Sequence, residues 1–250
     1  MCPHSTHHHH LPQNTEVLVP KLIVSACKYI EDNVEIEGIY RLSGSSARQK
    51  VGKLSAWCID INLKPPRQVM RKEIDGHDLD FREMASPPSV LDVAALLKQF
   101  LRELPLPIVP RMYHLMLASA FASQARVENL LLCLLLLPSE HLASLSFLMR
   151  HLNTVARSST INKMTAANLA IVLSPNLLPV QDTSYNLPGH GQAKVDKKAV
   201  DLNSQKLRLH TDMLELLIEH SDTVGYVSTV VMERFVSLGN VRRYFADYHC

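Results

Sequence analysis

Between Leu91 and Leu104 the chain reads LDVAALLKQFLREL, with apolar side chains at Val93, Leu96, Leu97, Phe100, Leu101 and Leu104. Steps of three and four put all six on one side of a 3.6-residue helix and scatter them over both faces of a strand. The spacing returns at Leu22, Ile23, Ala26, Cys27 and Ile30, at Val51, Leu54 and Trp57, and over residues 111–122, 140–156 and 207–220. No convincing run alternates apolar with polar residues. Stripes of this kind are buried by stacking helix on helix. The expected class is therefore all-α, a single helical bundle of about eight to nine helices.

Punctuation sets the expected boundaries. Pro20 falls near the first turn of the first helix, and Ser45 or Ser46 can cap the second. Pro105 and Pro107 end the helix from Leu91. The run LLLCLLLL from Leu130 to Leu137 is too short to span a bilayer and ends at Pro138. Its uniformity predicts a central helix over Val127–Leu137, buried on most sides. Thr165 can cap a helix through Leu173 that Pro175 stops. Residues 60–90 lose the period and carry Pro65, Pro66, Gly76, Pro87 and Pro88, so a long, mobile loop is expected there. Its cations Lys64, Arg67, Arg71 and Lys72 read as a solvated run or as a secondary contact with an acidic partner or lipid. Residues 179–203, with Gly189, Gly191 and lysines from Lys194, read as a polar loop or linker. The expected organisation is a flexible His-rich tail over 1–16, one domain over 17–224, and an extension over 225–250 with room for one helix.

Composition narrows the chemistry. Twenty-six basic residues against 24 acidic ones leave a net charge of +2, which makes no whole-chain case for nucleic acid or bulk membrane binding. Five scattered cysteines without a CxxC pair fit free thiols in a reducing, intracellular compartment, the cytoplasm with the nucleus left open. The opening MCPHSTHHHH has no apolar core behind a basic head, so no signal peptide is read there. No phosphate loop, GxGxxG, HExxH or GxSxG motif occurs. The 13 histidines are too dispersed to make a metal set, and His114, His141, His151 and His210 read as surface or capping groups. A self-contained active site cannot be assembled from these residues.

Certain polar residues nevertheless stand out. Arg41 lies between Gly38 and Gly44 in EGIYRLSG, Lys98 and Arg102 are neighbours at i,i+4, and Asn168 and Asn176 flank the end of an apolar helix. Singly, each has a bland explanation: a solvated charge, a wet helix face, an asparagine bonded to nearby backbone. In order, EGIYRLSGS, DVAALLKQFLRELPLPIVP and NKMTAANLAIVLSPNLL resemble three blocks of the Rho GTPase-activating protein (RhoGAP) domain family, over about Val17 to Val224. The resemblance implies that Arg41 is an arginine finger, offered in trans to a GTP-bound Rho-family small GTPase in signal transduction. It implies that Gly38 and Gly44 are the hinges of its loop. It implies that Lys98 and Arg102 support the finger and the docking face, that Asn176 touches the GTPase, and that Asn168 bonds backbone inside the domain. No cofactor or metal of its own is expected, since GTP and Mg²⁺ belong to the partner. Two departures touch docking: the length of the 60–90 loop, and Leu106 where an acidic residue is common. The alternative is a catalytically inactive binding module of the same fold. The preferred GTPase and the oligomeric state stay open.

Overall fold

The structure, a computed structural model, describes residues 19–42, 81–82, 87–180 and 197–226, without the side chains of 197–200. The helix expected over Ser45–Cys58, Gly44, the His-rich tail, most of the 60–90 loop and nearly all of the 225–250 extension lie outside the described residues.

Among the described residues eight α-helices run in chain order: α1 (Lys21–Glu31), α2 (Val90–Glu103), α3 (His114–Phe121), α4 (Arg126–Leu134), α5 (Ser139–Arg157), α6 (Ser159–Asn162), α7 (Ala166–Leu177) and α8 (Lys197–Glu219). Short 3₁₀ turns at Arg111–Tyr113 and Ser221–Thr223 precede α3 and follow α8, and the described residues contain no strand. Helix α5 packs against α1, α7 and α8, while α2 packs against α1 and α7. Leu145, Leu148, Met149, Leu152 and Val155 of α5 meet Ile23, Cys27 and Ile30 of α1 and Leu169, Ala170 and Leu173 of α7 in one continuous core. Ser89 caps α2, its Oγ accepting from the Asp92 N–H at 3.2 Å, and Thr165 caps α7 by accepting from the Asn168 N–H at 3.2 Å. No helix among the described residues is long and apolar enough to cross a membrane. Cys27, buried, and Cys133, partly exposed, are free thiols.

Three expectations are corrected. The leucine-rich helix is not central: of its run, Leu130, Leu134 and Leu137 are buried, and Leu136 is 62% exposed. Helix α4 packs chiefly on α3, so only one face is covered, and a uniformly apolar run carries no phase to say which. Pro175 does not stop α7, which continues to Leu177. A proline in the last turn frees the carbonyl of Ile171, a residue on the exposed side of the helix, and leaves the rest of the helical ladder intact. Helix α8 starts at Lys197, about ten residues before the apolar period appears. Between 201 and 208 most of its side chains are exposed, Leu202 and Leu207 among them, and Gln205 donates to Asp201 at 2.9 Å. A helix segment whose apolar residues stay exposed leaves no stripe to read.

Candidate functional site

After α1 the chain turns back on itself at Gly38–Leu42. The Arg41 and Leu42 N–H groups donate to the Gly38 carbonyl at 2.9 and 2.8 Å, and the Gly38 N–H donates to the Asn162 carbonyl at 2.8 Å. Gly38 has φ +72°, and a Cβ there would stand 2.5 Å from Leu42 Cγ. Both the backbone region and the space call for glycine. Tyr40 also has positive φ, 70°, without that freedom. Its ring is buried, its hydroxyl lies 2.7 Å from His151 Nε2, and His151 Nδ1 lies 2.7 Å from Glu31 Oε1. Burial, and then the neighbouring Cys27 and Glu31, hold the Tyr40 hydroxyl well above the usual tyrosine range.

Arg41 follows directly, with its side chain exposed. The ion pairs among the described residues join Arg82 to Asp32 and, when its ring is protonated, His151 to Glu31, so Arg41 belongs to neither. Lys98 of α2 donates its Nζ to the Tyr40 carbonyl. Burial, with Arg102 one turn away, lowers the Lys98 pKa below the ordinary lysine value. Arg102 Nη1 donates to Asn176 Oδ1 at 2.9 Å, and Asn176 Nδ2 donates to the Val172 carbonyl at 3.0 Å. Helix α2 thus binds the Arg41 turn through one cation and the end of α7 through the next. Asn168 is not joined to this set: its Nδ2 donates to the Lys163 carbonyl at 3.0 Å.

Sequence reasoning missed Tyr40, Glu31, His151 and Asn162. His151 is not the surface or capping group expected, because it is 2% exposed on the stripe of Leu148, Leu152 and Val155. A histidine in phase with core residues was the available signal. His210 is buried too, but like His114 and His141 it lies against a backbone carbonyl, that of Leu178 at 2.8 Å. Asn162 is fully buried. Its Nδ2 donates to the Val34 and Val155 carbonyls at 2.8 and 2.9 Å, and its Oδ1 accepts from the Met164 N–H at 2.8 Å.

Comparison with known proteins bears on this arrangement. Human Rho GTPase-activating protein 11A is 29% identical over 222 residues, 88% of this chain and 18% of that protein. Human Rho GTPase-activating protein 30 is 32% identical over 199 residues, 78% of this chain and 16% of that protein. The chain therefore spans less than a fifth of the length of these two relatives. Among solved structures, human Rho GTPase activating protein 15 superposes with a TM-score of 0.58 at 20% identity, covering 83% of this chain and 84% of that one. The BH domain of Graf, the GTPase regulator associated with focal adhesion kinase, also gives 0.58, at 21% identity over 82% and 92% of the two chains. Both share the helical fold. The family model for the RhoGAP domain matches residues 20–182, a stretch that takes in the Arg41 turn, all of α2 and all of α7. With nearly two thirds of its length so matched, the chain belongs to the RhoGAP domain family.

Proposed function

We propose that this chain accelerates GTP hydrolysis by a Rho-family small GTPase in its GTP-bound form, with Arg41 inserted in trans as the finger. The observation that carries this reading is an exposed guanidinium on a turn whose backbone is clamped by Lys98 from α2. Family membership and the names of the relatives support it. In phosphoryl transfer, charge spreads over the γ-phosphate oxygens and the leaving oxygen. A planar, permanently charged guanidinium can donate two hydrogen bonds to that charge. A finger held ready loses little entropy when it engages. GTP and Mg²⁺ are the partner's, as is the group that orients the attacking water. Lys98 holds the finger turn, and Arg102, exposed beside it, offers a cation to the docking face. Asn176 is 5% exposed with both ends of its amide engaged, so it would meet a GTPase only by giving up Arg102. In the free chain it orients Arg102.

Single-turnover hydrolysis against a panel of Rho-family GTPases tests this. Arg41→Ala lowers the activated rate by roughly two to four powers of ten. Its affinity for the GTP-bound partner changes by less than about tenfold, because the finger acts on charge that develops only in the transition state. Arg41→Lys restores little. Lys98→Ala loses rate and affinity together. Full activity in Arg41→Ala would remove the catalytic claim, and equal loss of rate and affinity would make Arg41 an anchor.

A further inference from the structure

We propose that Glu31, His151 and Tyr40 form a hydrogen-bonded strut, buried at Tyr40 and His151 and half-exposed at Glu31, that positions Arg41, with His151 a positioning residue for the finger. The inference rests on the finger reading above.

Carboxylate, imidazole and hydroxyl stand in line, 2.7 Å at each junction. In an open cleft this order would activate a nucleophile. Here Tyr40 and His151 are 1% and 2% exposed, so no substrate reaches the hydroxyl. Burial also keeps that hydroxyl protonated. The directions of the bonds follow from the end members. A carboxylate only accepts, so Nδ1–H donates to Glu31, and in the neutral ring Nε2 is left to accept from the Tyr40 hydroxyl. The chain is satisfied from end to end without any proton being free to move to a ligand.

A purely packing role does not account for it. Phenylalanine at 40 and leucine at 151 would fill this core without polar atoms to satisfy. The hydrogen bonds add a narrow constraint on distance and angle that apolar contact does not supply. That constraint falls on Tyr40, which immediately precedes Arg41 and occupies a backbone region disfavoured for bulky residues. Tyr40 is held at three points: its hydroxyl by His151, its carbonyl by Lys98, and the turn around it by the bonds to Gly38. Release of the hydroxyl lets the ring shift and the left-handed backbone relax, and the direction of Arg41 changes with it.

The test uses Tyr40→Phe and His151→Leu singly and together, with Glu31→Gln, which keeps an acceptor for Nδ1–H, as the conservative variant. Leu130→Ala, on α4 where it packs on α3, serves as a control that weakens the core away from the strut. Three quantities are read: the saturating single-turnover rate, the Kd for a partner loaded with a non-hydrolysable GTP analogue, and hydrogen exchange at the Arg41 and Leu42 amides. Tyr40→Phe is expected to lower the rate about three- to tenfold, the equivalent of one hydrogen bond, with Kd within about twofold. The double variant is expected to lose no more than the larger single loss, and Glu31→Gln to keep most of the rate. Leu130→Ala is expected to lower Tm while keeping the rate. A Tyr40→Phe rate equal to wild type, in a protein whose activity does depend on Arg41, overturns the proposal. If the wild type activates no GTPase, or Arg41→Ala matches it, the finger reading fails instead. Exchange then judges the strut alone: faster exchange at Arg41 and Leu42 in Tyr40→Phe supports it, and unchanged exchange overturns it.

Discussion

Tyr40 and Lys163 share the left-handed backbone that side chains other than glycine rarely adopt, with φ of 70° and 61°. They use it for different ends. Lys163 closes α6: its N–H donates to the Ser159 carbonyl at 3.0 Å, its side chain is exposed, and its ammonium donates to the nearby Thr160 carbonyl. Any residue tolerant of this region would serve, and glycine best. Tyr40 instead pairs the same conformation with a buried ring, a bonded hydroxyl and a clamped carbonyl. Equal local strain is incidental at one corner and held from three sides at the other. Asn162 joins them, since its carbonyl takes the Gly38 N–H and its side chain braces the approach to Lys163.

The same substitution at both corners should therefore give opposite results. Tyr40→Gly relieves the backbone but deletes a buried aromatic, and is expected to destabilise by about 3–5 kcal/mol in urea denaturation. A cost below about 1 kcal/mol would mean that the ring is dispensable and the comparison wrong. Asn162→Ala should loosen both corners at once, taking the Asn162 partner from the Val34 carbonyl and the Met164 N–H while the Val155 carbonyl keeps the Ser158 N–H, for about 2–3 kcal/mol. Hydrogen exchange should then rise at Gly38 and Met164 together; a rise at only one would show that the corners are independent. Lys163→Gly is expected to change stability by about 1 kcal/mol or less, in the stabilising direction, because relief of strain slightly exceeds the added freedom of the unfolded chain.

The smallest expected change is an acid-dependent one at another contact, where the histidines with lowered pKa values lie. His114 of α3 and His210 of α8 meet edge to face at 4.8 Å. Burial is the main cause in each; the neighbouring His210 and Arg111 add to it at His114, and Lys206 adds to it at His210. Backbone hydrogen bonds from Val109 and Leu178 act the other way. With folded values below the ordinary 6.5, the unfolded chain binds more protons in the interval between. Stability should fall as pH drops from 6.5 through the folded values. A melting series from about pH 7 to 5 checks this, with His210→Gln expected to flatten the slope.

Most of the helical frame was legible because its helices bury one face each. Ile23, Ala26, Cys27 and Ile30 on α1, and Val93, Leu96, Leu97, Phe100 and Leu101 on α2, are the buried residues that their spacing indicates. The misreadings occurred where local pattern and structure part company: the unphased leucines of α4, the polar early turns of α8, and a proline that the last turn of α7 accommodates. At the site, Arg41, Lys98, Arg102 and Asn176 stood out through their motifs. The contact of Tyr40 with His151 spans 111 positions, and that of His151 with Glu31 spans 120. Pairings that distant leave no local spacing, and only a polar residue in phase with an apolar stripe hints at them.

Lys98 and Arg102 lie four residues apart on α2, about 6 Å of helical rise. One grips the turn before Arg41 and the other the end of α7. The separation between those two structures is therefore gauged inside a single helix, not by the length of chain that connects them. One residue inserted among Gln99, Phe100 and Leu101 would turn one cation by about 100° relative to the other. A lineage of such chains should therefore hold the count of residues between Lys98 and Arg102 fixed, whatever else it changes.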